Sequence, residues 1–215
     1  VLEVGMGGRL DATNITEPRV VVITNIDLDH QEFLGATHTE IAAEKAGVIK
    51  PRRPVVSACA HPEALAVIRR RCAELDAPLI ETSRFAQLAN LRNLSGRYEF
   101  DLALNGNRFN HLISPLLGKF QVENAVAAVT AAWQLRREGF TIPRAAIVEG
   151  VRRATWPGRL EVIHERPVVV LDGAHNPAGA REVAAFAREQ WEGRHLRLIY
   201  ATMRDKAIGE ISQIL

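Results

Sequence analysis

Residues 19–30 read Arg19-Val20-Val21-Val22-Ile23-Thr24-Asn25-Ile26-Asp27-Leu28-Asp29-His30. The run from Val20 to Ile23 is short, apolar and β-branched, the pattern of a strand buried on both faces of a parallel sheet. The residues after it turn polar and ionisable where that strand would end. In open α/β sheets, ligands sit beyond the carboxyl ends of strands, so this stretch suggests both a fold class and a place for chemistry.

Working outward, Thr37 and Glu40 have the spacing of a capping box, and Ile41, Ala42, Lys45 and Ala46 continue a helix that Gly47 stops. Pro54 to Ser57 repeats the strand signal. Pro62 to Leu75 repeats the helix signal with proline in the first turn, and Leu79-Ile80-Glu81 is a further short strand. Strand, loop and helix alternate, which predicts a doubly wound, mostly parallel α/β sheet. From Tyr98 to Ile113 the period changes to two: Tyr98, Phe100, Leu102 and Leu104 alternate with polar or small residues. Asn105-Gly106 then supplies a hairpin turn, so an appended antiparallel hairpin is expected. Gln121 to Arg137 reads as a long helix with Val122, Val126, Val129 and Trp133 on one stripe, and Pro143 to Arg153 as another.

Thr155-Trp156-Pro157-Gly158-Arg159 interrupts the pattern and is the linker candidate, dividing the chain into 1–156 and 157–215. A second α/β series follows: strands at Leu160 to His164, Val168 to Leu171 and Leu196 to Tyr200, with a helix from about Ala178 to Glu192 between the last two. Leu215 falls inside what reads as the next helix. At the other end Val1, Leu2 and Val4 read as the end of a buried strand. Gly5, Gly7 and Gly8 then allow positive φ and close approach of a ligand to the backbone. The expectation is a chain open at both ends.

The 27 basic and 25 acidic residues are spread evenly, leaving a net charge of +2, so neither a nucleic-acid arm nor an acidic tail is indicated. Arg69-Arg70-Arg71 has Leu65, Ile68, Cys72 and Leu75 at helical spacing around it, which makes it a solvated helix face. Cys59 and Cys72 suit neither a zinc site nor a disulfide framework and fit a reducing cytoplasm. No apolar run approaches the length, about 18 residues, that spans a bilayer.

Three constellations carry possible chemistry. Glu3 and His30, at the ends of neighbouring strands, could share a divalent cation, or His30 could cap a loop while Glu3 pairs with an arginine. Lys45 at a helix end is ordinarily a favourable partner for the helix dipole. Asp172-Gly173-Ala174-His175-Asn176-Pro177 lies between a strand and a helix, either as a structural turn or as a ligand loop. One motif is missing: no G-x-x-x-x-G-K-[ST] occurs, and Gly118-Lys119 is followed by Phe120, so the chain contains no phosphate-binding P-loop sequence.

Taken together, six blocks resemble the folylpolyglutamate synthase and dihydrofolate synthase family, a branch of the Mur ligase superfamily. They are Glu3 to Asn14, Asp27 to His30 with Phe33-Leu34-Gly35, Glu44 to Ile49, Gly118 to Gln121 with Glu123-Asn124-Ala125, Pro157 to Glu161, and Asp172 to Pro177. The resemblance implies a P-loop-type Mur ligase central domain over 1–156, followed by part of a Rossmann-like C-terminal domain over 157–215. It implies an ATP-dependent ligase that phosphorylates a carboxylate and lets the amine of L-glutamate attack the acyl phosphate, with folate or dihydropteroate as acceptor. ATP and magnesium (Mg2+) are the implied cofactors, and the parent protein is expected to be monomeric and cytoplasmic, with no nucleic-acid or membrane partner.

By the same resemblance, Glu3 and His30 match magnesium ligands, and Lys45 matches a lysine carbamylated by carbon dioxide, whose new negative charge holds the metal or its waters. Leu10, Asp11 and Ala12 match positions facing the pteroate or folate substrate. Asn124, Arg159 and Asp172 match nucleotide contacts, and His175 lies beside the nucleotide. The family's phosphate loop has no counterpart in these residues, so the 215 residues alone are expected neither to bind ATP tightly nor to turn over. Alternatives are another Mur-type amide ligase, against which Gly8 to Asn14 speaks, and a non-catalytic nucleotide- or folate-binding remnant.

Overall fold

The computed structural model describes residues 1–204 and 206–215. After a short 3-10 turn (Ala12–Ile15), the first unit runs through β1 (Val21–Ile23), the one-turn α1 (Gln31–Leu34), α2 (His38–Ala46), β2 (Val55–Ser57), α3 (Pro62–Glu74) and β3 (Leu79–Glu81). The three strands pair in parallel in the order β1-β2-β3, with Val21 opposite Val55 and Val55 opposite Leu79. Each crossover contains a helix, as parallel pairing requires. Thr37 caps α2 as its spacing predicted: its hydroxyl accepts the Glu40 amide while the Glu40 carboxylate accepts the Thr37 amide. Pro62 occupies the first turn of α3, where its missing N–H costs nothing. Ile41 of α2, Val55 of β2 and Ile68 of α3 are fully buried in one cluster with Val21 and Ile23. Burial of each such side chain contributes about 1.5–3 kcal/mol.

The chain then passes through the short α4 (Thr82–Phe85) into an antiparallel sheet of β4 (Ala86–Leu94), β5 (Arg97–Leu104) and β6 (Asn107–Ser114). The alternation read at Tyr98, Phe100, Leu102 and Leu104 is the buried face of β5, and Asn105 and Gly106 form the turn with φ of 45° and 85°. Both residues lie in the left-handed region that tight hairpin turns need. β4 has no counterpart in the sequence reading. It holds only one β-branched-free, mostly exposed edge, so the ladder to β5 rather than its own side chains makes it a strand.

α5 (Phe120–Arg137) buries Val122, Val126 and Val129 against Tyr98, Phe100 and Leu112, with Trp133 partly buried on the same cluster. The helix touches β1 and β2 as well as β5 and β6, and α6 (Arg144–Arg152) packs on β6 beside it. The second unit starts at β7 (Glu161–Glu165), pairs antiparallel with β8 (Val168–Leu171), and continues through α7 (Pro177–Trp191) to α8 (Ile208–Ile214).

Two strand expectations fail. Leu196 to Tyr200 is irregular, with Leu198 and Ile199 largely exposed, because β8 pairs only with β7 among the described residues and no ladder receives the segment. Val1 to Val4 is likewise not a strand: Val1 and Leu2 are exposed, and among the described residues β1 is paired only with β2. A run of valines becomes a strand only where a neighbour supplies hydrogen-bond partners. No helix among the described residues is long and apolar enough to cross a membrane.

Candidate active site

The polar residues after β1 meet the loop after β8. His30 stands at the N-cap of α1 in a left-handed conformation, φ 50° and ψ 37°, sparsely populated by non-glycine residues. Its neighbour Asp29 is the centre of the site. Asp29 Oδ1 accepts the His30 amide at 2.8 Å, and Oδ2 accepts the Asn176 side-chain amide at 2.7 Å. Lys206 Nζ is 3.5 Å from Oδ1, and His175 Nε2 is 3.6 Å from Oδ2. Burial pushes the Asp29 carboxyl up, but the Asn176 and His30 hydrogen bonds and the nearby positive charge outweigh it and hold the group below its ordinary value. Asp27 adds a second link across the cleft through Arg181, at 3.6 Å.

Asn176 performs two tasks with one side chain. Its Oδ1 accepts the Gly179 amide and so caps α7, while its Nδ2 reaches Asp29. His175, one residue earlier, donates from Nδ1 to the Gly173 carbonyl at 2.8 Å, since a carbonyl can only accept. Asp172 spends both carboxylate oxygens on backbone amides, of Leu160 at 2.8 Å and Ala174 at 2.7 Å. The Gly173 amide donates to Gly158 O at 2.8 Å, and the exposed Arg159 guanidinium lies directly over Gly173, where any Cβ would collide with it. The linker and the loop after β8 are therefore stitched together.

The glycine-rich segment packs on the other end of α2. A Cβ on Gly8 would come within 2.9 Å of the Glu44 and Lys45 carbonyl oxygens and 2.8 Å of Val48, and one on Gly47 would strike Arg9. The close approach that glycine permits here is to a helix end. Arg9 completes the joint, its amide on Glu44 O at 2.9 Å and its guanidinium on the Glu44 carboxylate. Asp11 accepts the amides of Gly5, Met6 and Thr13 and the Thr13 hydroxyl. Chiefly through that hydroxyl, its carboxyl falls to about 2.

Thus His30 and His175 are brought together, and Arg159 with Asp172. Glu3 is exposed, and Leu10 and Ala12 are exposed beside the inward-tied Asp11. Lys45 is half-buried in the last turn of α2, and Asn124 is exposed near the start of α5, donating to Gln121 Oε1 at 2.9 Å. Among the described residues, the one group of three potential metal ligands is Asp29, His30 and His175, and Glu3 lies outside it. The sequence reading missed Asp29, Asn176, Arg181 and Lys206 as site members. Asp29 and Asn176 stood inside the quoted blocks, whereas Arg181 and Lys206 carried no local signal.

Two α/β units meeting at a polar cleft place the chain in the class of two-part α/β proteins of the Mur ligase type. The chain belongs to the Mur ligase family: the Mur ligase middle domain matches residues 1–132, and the Mur ligase, glutamate ligase domain matches residues 158–215. Within it, the chain is similar to a dihydrofolate synthase/folylpolyglutamate synthase of Bacillus subtilis, 36% identical over 207 residues covering 96% of this chain and 48% of that protein. It is also similar to the Mycobacterium tuberculosis protein of the same name, at 34% identity over 98% of this chain and 45% of that one. Among solved structures, the Mycobacterium tuberculosis folylpolyglutamate synthase complexed with ADP superposes with a TM-score of 0.89 at 32% identity, covering 98% of this chain and 48% of that one. An FPGS-AMPPCP-folate complex does so with a TM-score of 0.83 at 33% identity, over 89% and 47%. The chain spans about half the length of the curated Bacillus subtilis and Mycobacterium tuberculosis relatives.

Proposed function

We propose that this chain is the middle and following portion of an ATP-dependent ligase that adds L-glutamate to folate or dihydropteroate through an acyl phosphate, working in the cytoplasm as a monomer. The observation that carries the reading is the convergence of Asp29 and His30 from the first unit with His175 and Asn176 from the second, in a Mur ligase chain. We put the unit boundary at 156/157, in the loop between α6 and β7.

The cleft suits magnesium, since Asp27 and Asp29 line it around His30 and give the oxygen-rich set this ion prefers, and Glu3, outside that set, has an exposed carboxylate that the resemblance assigns to the same ion. Glu3 and His30 would hold it, and when bound it neutralises charge on the transferring phosphoryl group. Lys45, as the carbamate, would present an anion in place of a cation; the neutral amine adds to carbon dioxide and releases one proton. Arg159 and Asn124 would orient the nucleotide. Asp172 would act through the backbone, since its two oxygens tie the linker at Leu160 to the loop that carries His175. Leu10 and Ala12, exposed on a loop that Asp11 keeps rigid, would meet the apolar faces of the pterin acceptor.

The reading is tested by phosphate release in the natural-length protein, with folate or dihydropteroate as acceptor. Release should depend on L-glutamate and fall at least about a hundredfold in Lys45→Ala and His30→Ala, the scale of losing a charge-stabilising group. Phosphate release that ignores both glutamate and the pterin acceptor refutes it.

A further inference from the structure

We propose that Asp29, His30 and His175 form a binding site for a divalent transition ion of the zinc class, closing a clamp between the two α/β units. The inference rests on the geometry of this cleft and does not depend on the ligase reading.

The decisive group is His175. Its Nδ1 carries the proton given to the Gly173 carbonyl, so in the neutral ring Nε2 holds a bare lone pair. That lone pair faces Asp29 Oδ2 at 3.6 Å, one acceptor against another. His30 Nε2 approaches the same oxygen at 3.9 Å. Two imidazole nitrogens and a carboxylate oxygen converging on one point form a ligand set that a cation in their midst completes. All three ligand atoms lie within 4.8 Å of one another. Ligands about 2.0–2.1 Å from a tetrahedral ion stand about 3.3–3.4 Å apart, so the set needs to contract by only a few tenths of an ångström for its shorter edges.

The surroundings have the features of a built site. The histidine's other nitrogen bonded to a backbone carbonyl is the usual orienting contact of a metal-bound imidazole. Asn176 holds Oδ2 through one lone pair at 2.7 Å, leaving the other for the ion, while Lys206 lies on the opposite oxygen. All three side chains are half-exposed, so an ion can enter. Two imidazoles and one carboxylate select zinc, cobalt or nickel over magnesium, and three protein ligands leave a position for water. Asp29 and His30 follow β1 whereas His175 precedes α7, so occupancy fixes the angle between the units. His30 would then be unavailable to any magnesium it otherwise helps to hold.

The test is a cobalt(II) titration of the natural-length protein without nucleotide, followed by the visible ligand-field band. One equivalent should saturate the band, stoichiometric zinc should displace it, and millimolar magnesium should leave it in place. His175→Ala and Asp29→Asn should each weaken binding at least about tenfold. His38→Ala, which removes the stacked partner of His61, should change nothing. Circular dichroism of the half-exposed His175→Gln variant separates ligand loss from unfolding. Absence of a saturable band, binding that survives His175→Ala in a folded protein, or displacement by magnesium at equal concentration each overturns the proposal. None of these outcomes depends on whether the protein ligates glutamate.

Discussion

Replacing Gly8 with alanine puts a methyl group where three atoms already stand. The new Cβ would lie 2.8 Å from Val48 Cγ1 and 2.9 Å from the carbonyl oxygens of Glu44 and Lys45. Comfortable carbon contacts begin near 3.5 Å, so each is short by more than half an ångström. Val48 can turn aside, but the carbonyls belong to the last turn of α2, and Glu44 O is fixed further by the Arg9 and Gly47 amides. The loop must retreat, stretching the Arg9 joint. Overpacking of this kind costs about 1–3 kcal/mol. For a chain of this size each kcal/mol moves the melting temperature by about 2–4 °C, giving a loss of about 2–12 °C. Gly150 supplies a control with the opposite sign: it is exposed in α6 with nothing within 4 Å of a Cβ, so Gly150→Ala should stabilise by about 0.5–1 kcal/mol. Thermal and urea unfolding of the two variants, followed by circular dichroism, measures both. If Gly8→Ala melts with the unaltered protein, or both substitutions shift stability the same way, the close seating of the loop on α2 is wrong.

Thr37→Ala removes the hydroxyl half of the α2 capping box and should cost about 1 kcal/mol in urea unfolding, with Thr37→Ser restoring most of it. Asp11 titrates near 2 when folded against an ordinary value of 3.8, so its stabilisation is complete above the higher value and lost as pH falls through the lower. Asp11→Asn should therefore flatten the pH dependence of stability between about 4 and 2, measured by denaturant midpoints across that range; an unchanged acid limb counts against the loop's hydrogen bonds. Burial pushes the Cys72 thiol up to about 11 and raises Cys59 as well. Both should resist a disulfide thiol reagent at pH 8 and react fully only in denaturant.

The parallel layer was legible because its signals are local. β-branched runs, the Thr37/Glu40 spacing and Pro62 each name their element without reference to a partner. The Asn105-Gly106 turn fixed the hairpin in the same way. β4 was not legible, since Ala86 to Leu94 has neither alternation nor β-branching and becomes a strand through the hydrogen bonds of β5. Leu196 to Tyr200 shows the converse, a favourable composition with no ladder to join. At the site, His30 and His175 were marked by the polar turns around them, but their meeting is set by how two units dock. Asp29 could be placed beside His30 by sequence alone, whereas nothing in the sequence around Lys206, 177 residues away, announces that it reaches the same carboxylate.

α5 lies against β1 and β2 and also against β5 and β6, with Val122, Val126 and Val129 buried. Neither sheet can separate from the rest without stripping cover from that helix, so the parallel and antiparallel layers form a single cooperative unit. Amide exchange carries the signature: the Val126 to Thr130 amides should open only in the global unfolding event, at the same free energy as those of Val55 and Val56. Amides of β7, on the far side of the linker, should exchange through a separate and cheaper opening. The helix is thus a mechanical spine, and whatever strain the cleft transmits to the first unit is shared by both sheets at once.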